Sequence, residues 1–232
     1  ISSWKNSLQG TWGDFDEDGD PDLVVANDWA VDHLFRNDGK EGFVDIASET
    51  GLDLMGFGMG ACWGDYDGDG KDDLFVTNMF SKAGQRVLGD FTEVDPRFVE
   101  AASGNFLYRQ NEGKFEQLAG YGGSTIPVAR SGWSWGGQFV DIDNDGDYDL
   151  FYETLEVDTS YYSYYQDNVF IYHENIGSTT NPQFSVGIKN PFNLTTPQNF
   201  TLGTSILSHN LVDLDGDGDY DILATYSGLY ES

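Results

Sequence analysis

The chain has 232 residues, enough for a sizeable core, and its 40 acidic against 11 basic side chains leave a formal net charge of −29. That charge argues against nucleic acid and anionic membrane surfaces as partners. The 15% aromatic and 39% hydrophobic content argues against the disorder that such acidity otherwise suggests.

The first predicted unit covers residues 11–54. Trp12-Gly13 leads into an acidic run, Asp14, Asp16, Asp18, Gly19 and Asp22, of the form D-x-D-x-D-G-x-x-D. Alternating carboxylates fold toward one point, and the glycine supplies a left-handed turn at little steric cost. The turn is expected to bring in the backbone carbonyl of Asp20, and Asp22 to close the site. Leu23-Val24-Val25-Ala26 then reads as a buried strand. Leu34 to Gly39, followed by Phe43-Val44, reads as an outer hairpin around an Asp-Gly turn.

The second unit, residues 55–122, repeats the order. Trp63-Gly64 precedes Asp65, Asp67, Asp69, Gly70 and Asp73, with Lys71 at the backbone-ligand position. Leu74-Phe75-Val76-Thr77 is the strand, and Leu107 to Gly113 with Phe115 the hairpin. An insert around 80–104 lengthens this unit. Its segment from Asp95-Pro96 to Gly104 has the start and stop signals of a short helix. Cys62 is the sole cysteine, so no intrachain disulfide forms. It reads as a small buried hydrophobe without a basic neighbour to activate it.

The third unit, 123–192, has Trp135-Gly136 as the lead-in and Asp141, Asp143, Asp145, Gly146, Asp147 and Asp149 as the loop. Leu150-Phe151-Tyr152 follows, then a hairpin from Val169 to Gly177 and Phe184. The fourth, 193–232, has Asp213, Asp215, Asp217, Gly218, Asp219 and Asp221, then Ile222-Leu223-Ala224-Thr225, and stops before an outer hairpin. Four strands per unit make a propeller blade, so the expected fold is an all-β propeller.

Four carboxylates per loop need a cation. Hard oxygen donors in a flexible loop suit Ca2+, which takes roughly 6–8 oxygens at about 2.3–2.6 Å; Mg2+, with its tighter octahedron, is the lesser competitor. Four bound ions, eight positive charges, would bring −29 to −21. An EF-hand is excluded, because its twelfth position requires a bidentate Glu. Here that position holds Val25, Val76, Tyr152 and Ala224. Calcium loops of modest affinity fill where calcium is plentiful, which favours an extracellular or cell-surface location. No stretch has the length of a membrane span, and Ile1 reads as the start of a mature or truncated chain. Asn193-Leu194-Thr195 and Asn199-Phe200-Thr201 are glycosylation sequons.

Phe57-Gly58-Met59-Gly60-Ala61-Cys62 ahead of such a loop resembles the FG-GAP repeat of integrin α-subunit propellers. From Thr11 to about Tyr152 the chain is similar to bacterial FG-GAP/VCBS proteins related to cartilage acidic protein, on Gly60 to Asp67 and Gly132-Trp133-Ser134-Trp135-Gly136. Beyond about 166, Glu174-Asn175-Ile176-Gly177 and Asn181-Pro182-Gln183-Phe184 resemble repeats of secreted bacterial surface proteins. The resemblance implies a propeller of about seven blades, of which the chain would be a part; closure at four blades, with residues 1–10 completing the last, is the other reading.

Three functions follow as expectations. The first is a non-catalytic, calcium-rigidified scaffold or adhesion module with a protein or glycan partner at the cell surface; an assembly of further copies of itself is compatible with this. The second is a carbohydrate-binding propeller, using Tyr161, Tyr162, Tyr164 and Tyr165, with Trp133 and Trp135 read as packing between blades. The third and weakest is a calcium-dependent polysaccharide-degrading enzyme. The motif already assigns the carboxylates to metal, and His33, His173 and His209 stand in no catalytic pattern.

Overall fold

A computed structural model describes residues 6–81, 96–121, 126–130, 132–157, 166–194 and 205–227. Its strands form four antiparallel sheets that follow one another along the chain. The first holds β1 (Asn6–Gly13), β2 (Asp22–Val31), β3 (His33–Asn37) and β4 (Phe43–Asp45) in that order, with β5 (Met55–Phe57) pairing to β2. The second runs β6 (Gly60–Gly64), β7 (Asp73–Thr77), β8 (Phe106–Asn111) and β9 (Lys114–Ala119). The third runs β10 (Trp133–Val140), β11 (Asp149–Val157), β12 (Gln166–His173) and β13 (Ile188–Lys189). The fourth pairs β14 (Ser205–Val212) with β15 (Asp221–Ser227). The opening strands β1, β6, β10 and β14 neighbour one another in that order. The fold is all-β and propeller-like.

Each acidic run is the connection between the first two strands of its sheet. The register is shared: Gly13 faces Asp22, Gly64 faces Asp73, Val140 faces Asp149 and Val212 faces Asp221. Short helices occur at α1 (Ala47–Thr50) and α2 (Arg97–Ala101), the latter within the segment where Pro96 and Gly104 signal one.

The core lies between sheets. Side chains alternate in direction along a strand, and in β7 both directions are covered. Leu74 and Val76 pack with Val24, Ala26 and Leu34 of the first sheet, while Phe75 packs with Leu150 and Tyr152 of the third. In β11, Phe151 faces onward to Leu211, Ile222 and Ala224 of the fourth. Full burial of each such side chain contributes about 1.5–3 kcal/mol. Side-chain amides add crossings between neighbours. Ala61 N–H donates to Gln9 Oε1 at 2.9 Å, Gln110 Nε2 donates to the Phe15 carbonyl at 2.7 Å, and Leu211 N–H donates to Gln138 Oε1 at 2.8 Å.

Several details differ from expectation. Leu23-Val24-Val25-Ala26 and Ile222-Leu223-Ala224-Thr225 are covered on one face only, because each has one neighbouring sheet among the described residues. Met55–Phe57, given to the second unit, extends the first sheet. Trp135-Gly136 is not the lead-in equivalent to Trp12-Gly13 and Trp63-Gly64. Phe139-Val140 holds that register, and Gly136 sits at a bulge with φ +37. Phe184 makes a single bridge to Asn175, and the strand that completes the third sheet comes later, at β13. Trp133 is exposed rather than packed between sheets.

Candidate metal centre

The first aspartate of each loop caps the turn. Asp14 accepts from the N–H groups of Asp18 at 3.1 Å and Gly19 at 3.0 Å. Asp65 does the same with Asp69 and Gly70, and Asp141 with Asp145 and Gly146. Asp213 accepts from Gly216 and Gly218. The fifth-position carboxylates Asp18, Asp69, Asp145 and Asp217 each accept from the N–H two residues on, at Asp20, Lys71, Asp147 and Asp219. The turn glycines Gly19, Gly70, Gly146 and Gly218 have φ between +88 and +95, a region that side chains avoid.

This folding brings carboxylates together. One oxygen from each of Asp14, Asp16 and Asp18 lies within 4.8 Å of the others, and the same holds for Asp65, Asp67 and Asp73, for Asp141, Asp143 and Asp145, and for Asp213, Asp215 and Asp221. Burial, then the charges of Asp18 and Asp14, raise the Asp16 carboxyl; burial, then Asp69 and Asp65, raise that of Asp67. Asp67 Oδ1 and Asp147 Oδ1 are buried without a hydrogen-bond partner. Repelling, desolvated carboxylates with orphaned oxygens are what a divalent cation relieves. The all-oxygen donor set in flexible loops fits Ca2+. Lys71 turns its ammonium 3.8 Å from Glu17 Oε1 of the preceding loop, so its charge stays out of its own cluster.

The ninth-position aspartates do something further. Asp22, Asp73 and Asp149 are buried. Each joins the loop start to the outer hairpin. Asp22 accepts from Phe15 N–H at 3.2 Å and Asn37 N–H at 2.8 Å; Asp73 accepts from Tyr66 at 3.2 Å and Gln110 at 2.8 Å; Asp149 accepts from Ile142 at 3.2 Å and Asn175 at 2.8 Å. Tyr172 also donates its hydroxyl to Asp149. Burial pushes Asp73 up to about 8 and Asp149 up to about 6. Asp221 reaches Leu214 N–H at 3.1 Å and is exposed.

Residues 14–76 match the family model of the FG-GAP-like repeat. The chain carries the FG-GAP repeat. No curated protein matches the chain. The matched stretch holds the first two loops, and the same turn geometry and the same ninth-position bond recur in the third and fourth, beyond the match.

Two loop positions of the FG-GAP unit escaped the sequence. The second residue, Phe15, Tyr66 or Ile142, packs into or against the interface with the following sheet. The fourth, Glu17, Gly68, Asn144 or Gly216, is left-handed in every copy, with φ of 59, 66, 59 and 77. Glu17 is the costly case, so Glu17→Gly is expected to stabilise the protein by about 0.5–1 kcal/mol, read from urea unfolding. A loss of stability would mean that the Glu17 side chain outweighs its backbone strain.

His33 bonds Asp45 at 2.6 Å, and His173 lies buried between the Tyr152 hydroxyl and the Ser185 carbonyl, both at 2.8 Å. His209 of the fourth sheet is buried 3.9 Å from Glu153 of the third, and neither His209 nitrogen nor Glu153 Oε2 has a hydrogen-bond partner. Burial pushes Glu153 up to about 8 and His209 down to about 4. The folded pair therefore holds one proton from about pH 4 to about pH 8. The unfolded chain loses its second proton near 6.5. Between these, the folded state binds more protons, so stability falls as pH rises from 6.5 to 8, by about 2 kcal/mol at 1.36 kcal/mol per unit. Glu153→Gln is expected to remove that fall in calcium-saturated urea melts across pH; an unchanged slope would assign it elsewhere. Tyr161, Tyr162, Tyr164 and Tyr165 lie outside the described residues.

Proposed function

We propose that this FG-GAP chain is a non-catalytic, calcium-rigidified interaction module that works outside the cell. The observation that carries the reading is the orphaned, buried Asp67 oxygen inside one of four carboxylate clusters that recur along the chain. Calcium would be held by Asp14, Asp16 and Asp18 and their counterparts, with backbone oxygens at Asp20, Lys71, Asp147 and Asp219. It would supply charge neutralisation and fix the loops at one end of each sheet, and metal binding would then be coupled to folding. FG-GAP repeats are typical of extracellular proteins, and among the described residues no helix is long and apolar enough to cross a membrane. Titration calorimetry with calcium is expected to show about four sites, and heat indistinguishable from dilution would overturn the proposal.

A glycan-binding role has one observation in its favour. Trp29 is exposed and held at φ +61, with its ring 4.7 Å from that of Phe57 and 5.7 Å from that of Phe98. A bulky residue in that conformation is strained, and strain of this kind gathers at recognition sites. A glycan array whose signal vanishes in Trp29→Ala would favour this reading over a protein partner.

A further inference from the structure

The joint between the third and fourth sheets differs in kind from the two before it. Four residues after the ninth-position aspartate stand Ala26, Thr77 and Glu153. Three residues before the strand residue that faces that aspartate, in the sheet that follows, stand Ala61, Gly137 and His209. Ala26 and Ala61 share one apolar cluster, and Gly137 lies against Phe75 and Thr77. At the third joint the same two positions bring Glu153 Oε2 and His209 Nδ1 to 3.9 Å, with side chains 3% and 1% exposed. That oxygen and both ring nitrogens lack a hydrogen-bond partner. The rings of Phe151 and Phe170 stand nearly perpendicular to the imidazole, with centroids 5.4 and 5.6 Å away. The bulge at Gly136 backs the ring, and an added Cβ there would lie 3.4 Å from His209 Cε1.

A carboxylate beside a neutral imidazole leaves a net negative charge in this apolar setting, and a carboxylic acid beside an imidazolium leaves a net positive one. With one proton between them the pair is uncharged overall, and that state alone escapes the cost of a net buried charge. We propose that Glu153 and His209 form a one-proton clasp between the third and fourth sheets, closed in mildly acid solution and loosened toward mildly alkaline solution, so that this joint parts while the other two hold. Burial shifts both groups, and no charge of a described residue adds to it. Strand β10 carries no ionisable residue. On β11 and β12, Asp149 is bonded to Tyr172 and Tyr152 to His173. On β14 His209 stands alone, and Asp221 of β15 is bonded to Leu214 at the loop. The side chains of Glu156, Asp167 and Tyr226 lie outside the described residues. Opening the joint to water returns the two groups to their ordinary values of 4.5 and 6.5. The closed pair keeps its proton to about pH 8, whereas the open pair gives up its last near 6.5. Between these, opening releases one proton and becomes easier by about tenfold per pH unit, about thirtyfold in all. The clasp includes no loop carboxylate, so it stands whether or not the loops bind calcium.

Hydrogen exchange of the intact chain in saturating calcium, read by mass spectrometry from about pH 5 to pH 8 and corrected for the pH dependence of chemical exchange, tests the clasp. Peptides from β14 and β15 are expected to open more readily than those from β6 and β7 at every pH. Their opening constant is expected to stay level to about pH 6.5 and then to rise about tenfold per unit. Glu153→Gln keeps the size of the side chain and is expected to flatten the rise. His209→Gln removes the group that holds the last proton in the open state, so the rise is expected to extend over the whole range. A general loss of packing would not split the two variants in this way. A level profile in the native chain, one profile shared by both variants, or β14 and β15 opening only together with β6 and β7 would overturn the proposal.

Discussion

Withdrawing calcium with a chelator is expected to lower the melting temperature by about 10–20 °C. A ligand held only by the folded state stabilises it by about 2.7 kcal/mol per site at a hundredfold excess over its Kd, and 1 kcal/mol moves the midpoint of a chain this size by about 2–4 °C. Two well-built sites account for the shift. The second and third loops are the best built, with Asp73 and Asp149 buried behind them and an orphaned oxygen in each. The fourth cluster, Asp213, Asp215 and Asp221, is exposed throughout and contributes least. Magnesium is expected to restore only part of the loss. Equal midpoints in calcium and in chelator would remove calcium from the account of this fold.

Asp73→Ala is expected to cost about 2–4 kcal/mol in chelator, and more in calcium because Asp73 also belongs to the second carboxylate cluster. The substitution leaves the Gln110 N–H without its acceptor, a buried orphan that costs about 1–3 kcal/mol, and the Tyr66 N–H with the Gly64 carbonyl alone. The methyl group also leaves part of a fully buried site unfilled. Asp73→Asn keeps one acceptor oxygen and is expected to fall in between. Asp221→Ala is the control. It occupies the same motif position, is exposed and holds only Leu214, so its cost is expected to stay within about 1 kcal/mol. Chemical unfolding of the three variants separates the two roles of the ninth position. Equal costs for Asp73→Ala and Asp221→Ala would mean that this carboxylate serves as an ion ligand alone.

What the sequence made legible was local. The acidic loops, the left-handed glycine at Gly19 and its equivalents, the strand that follows each loop and the short helix after Pro96 all lie within a few residues of their signals. The bonds that fix Asp22, Asp73 and Asp149 reach residues 15, 37 and 26 positions away, and no local pattern announces them. The left-handed fourth position is filled by Glu, Gly, Asn and Gly, which share no side-chain property. Trp135-Gly136 misled because it repeats the letters of Trp12-Gly13 upstream of the equivalent register, where Phe139-Val140 stands. One-sided burial of β2 and β15 was illegible for a different reason. Their apolar runs match those of β7 and β11, and what differs is the neighbouring sheet.

The second loop residue ties two events together. Phe15 and Tyr66 sit between aspartates of a cluster, yet their rings belong to the packing of the following sheet. If the proposed ions fill the loops, loss of one would loosen the joint behind it and leave more distant joints intact. Such a stack behaves as a chain of coupled neighbours. Under falling calcium or under tension it is expected to come apart joint by joint, beginning at its weakest loop.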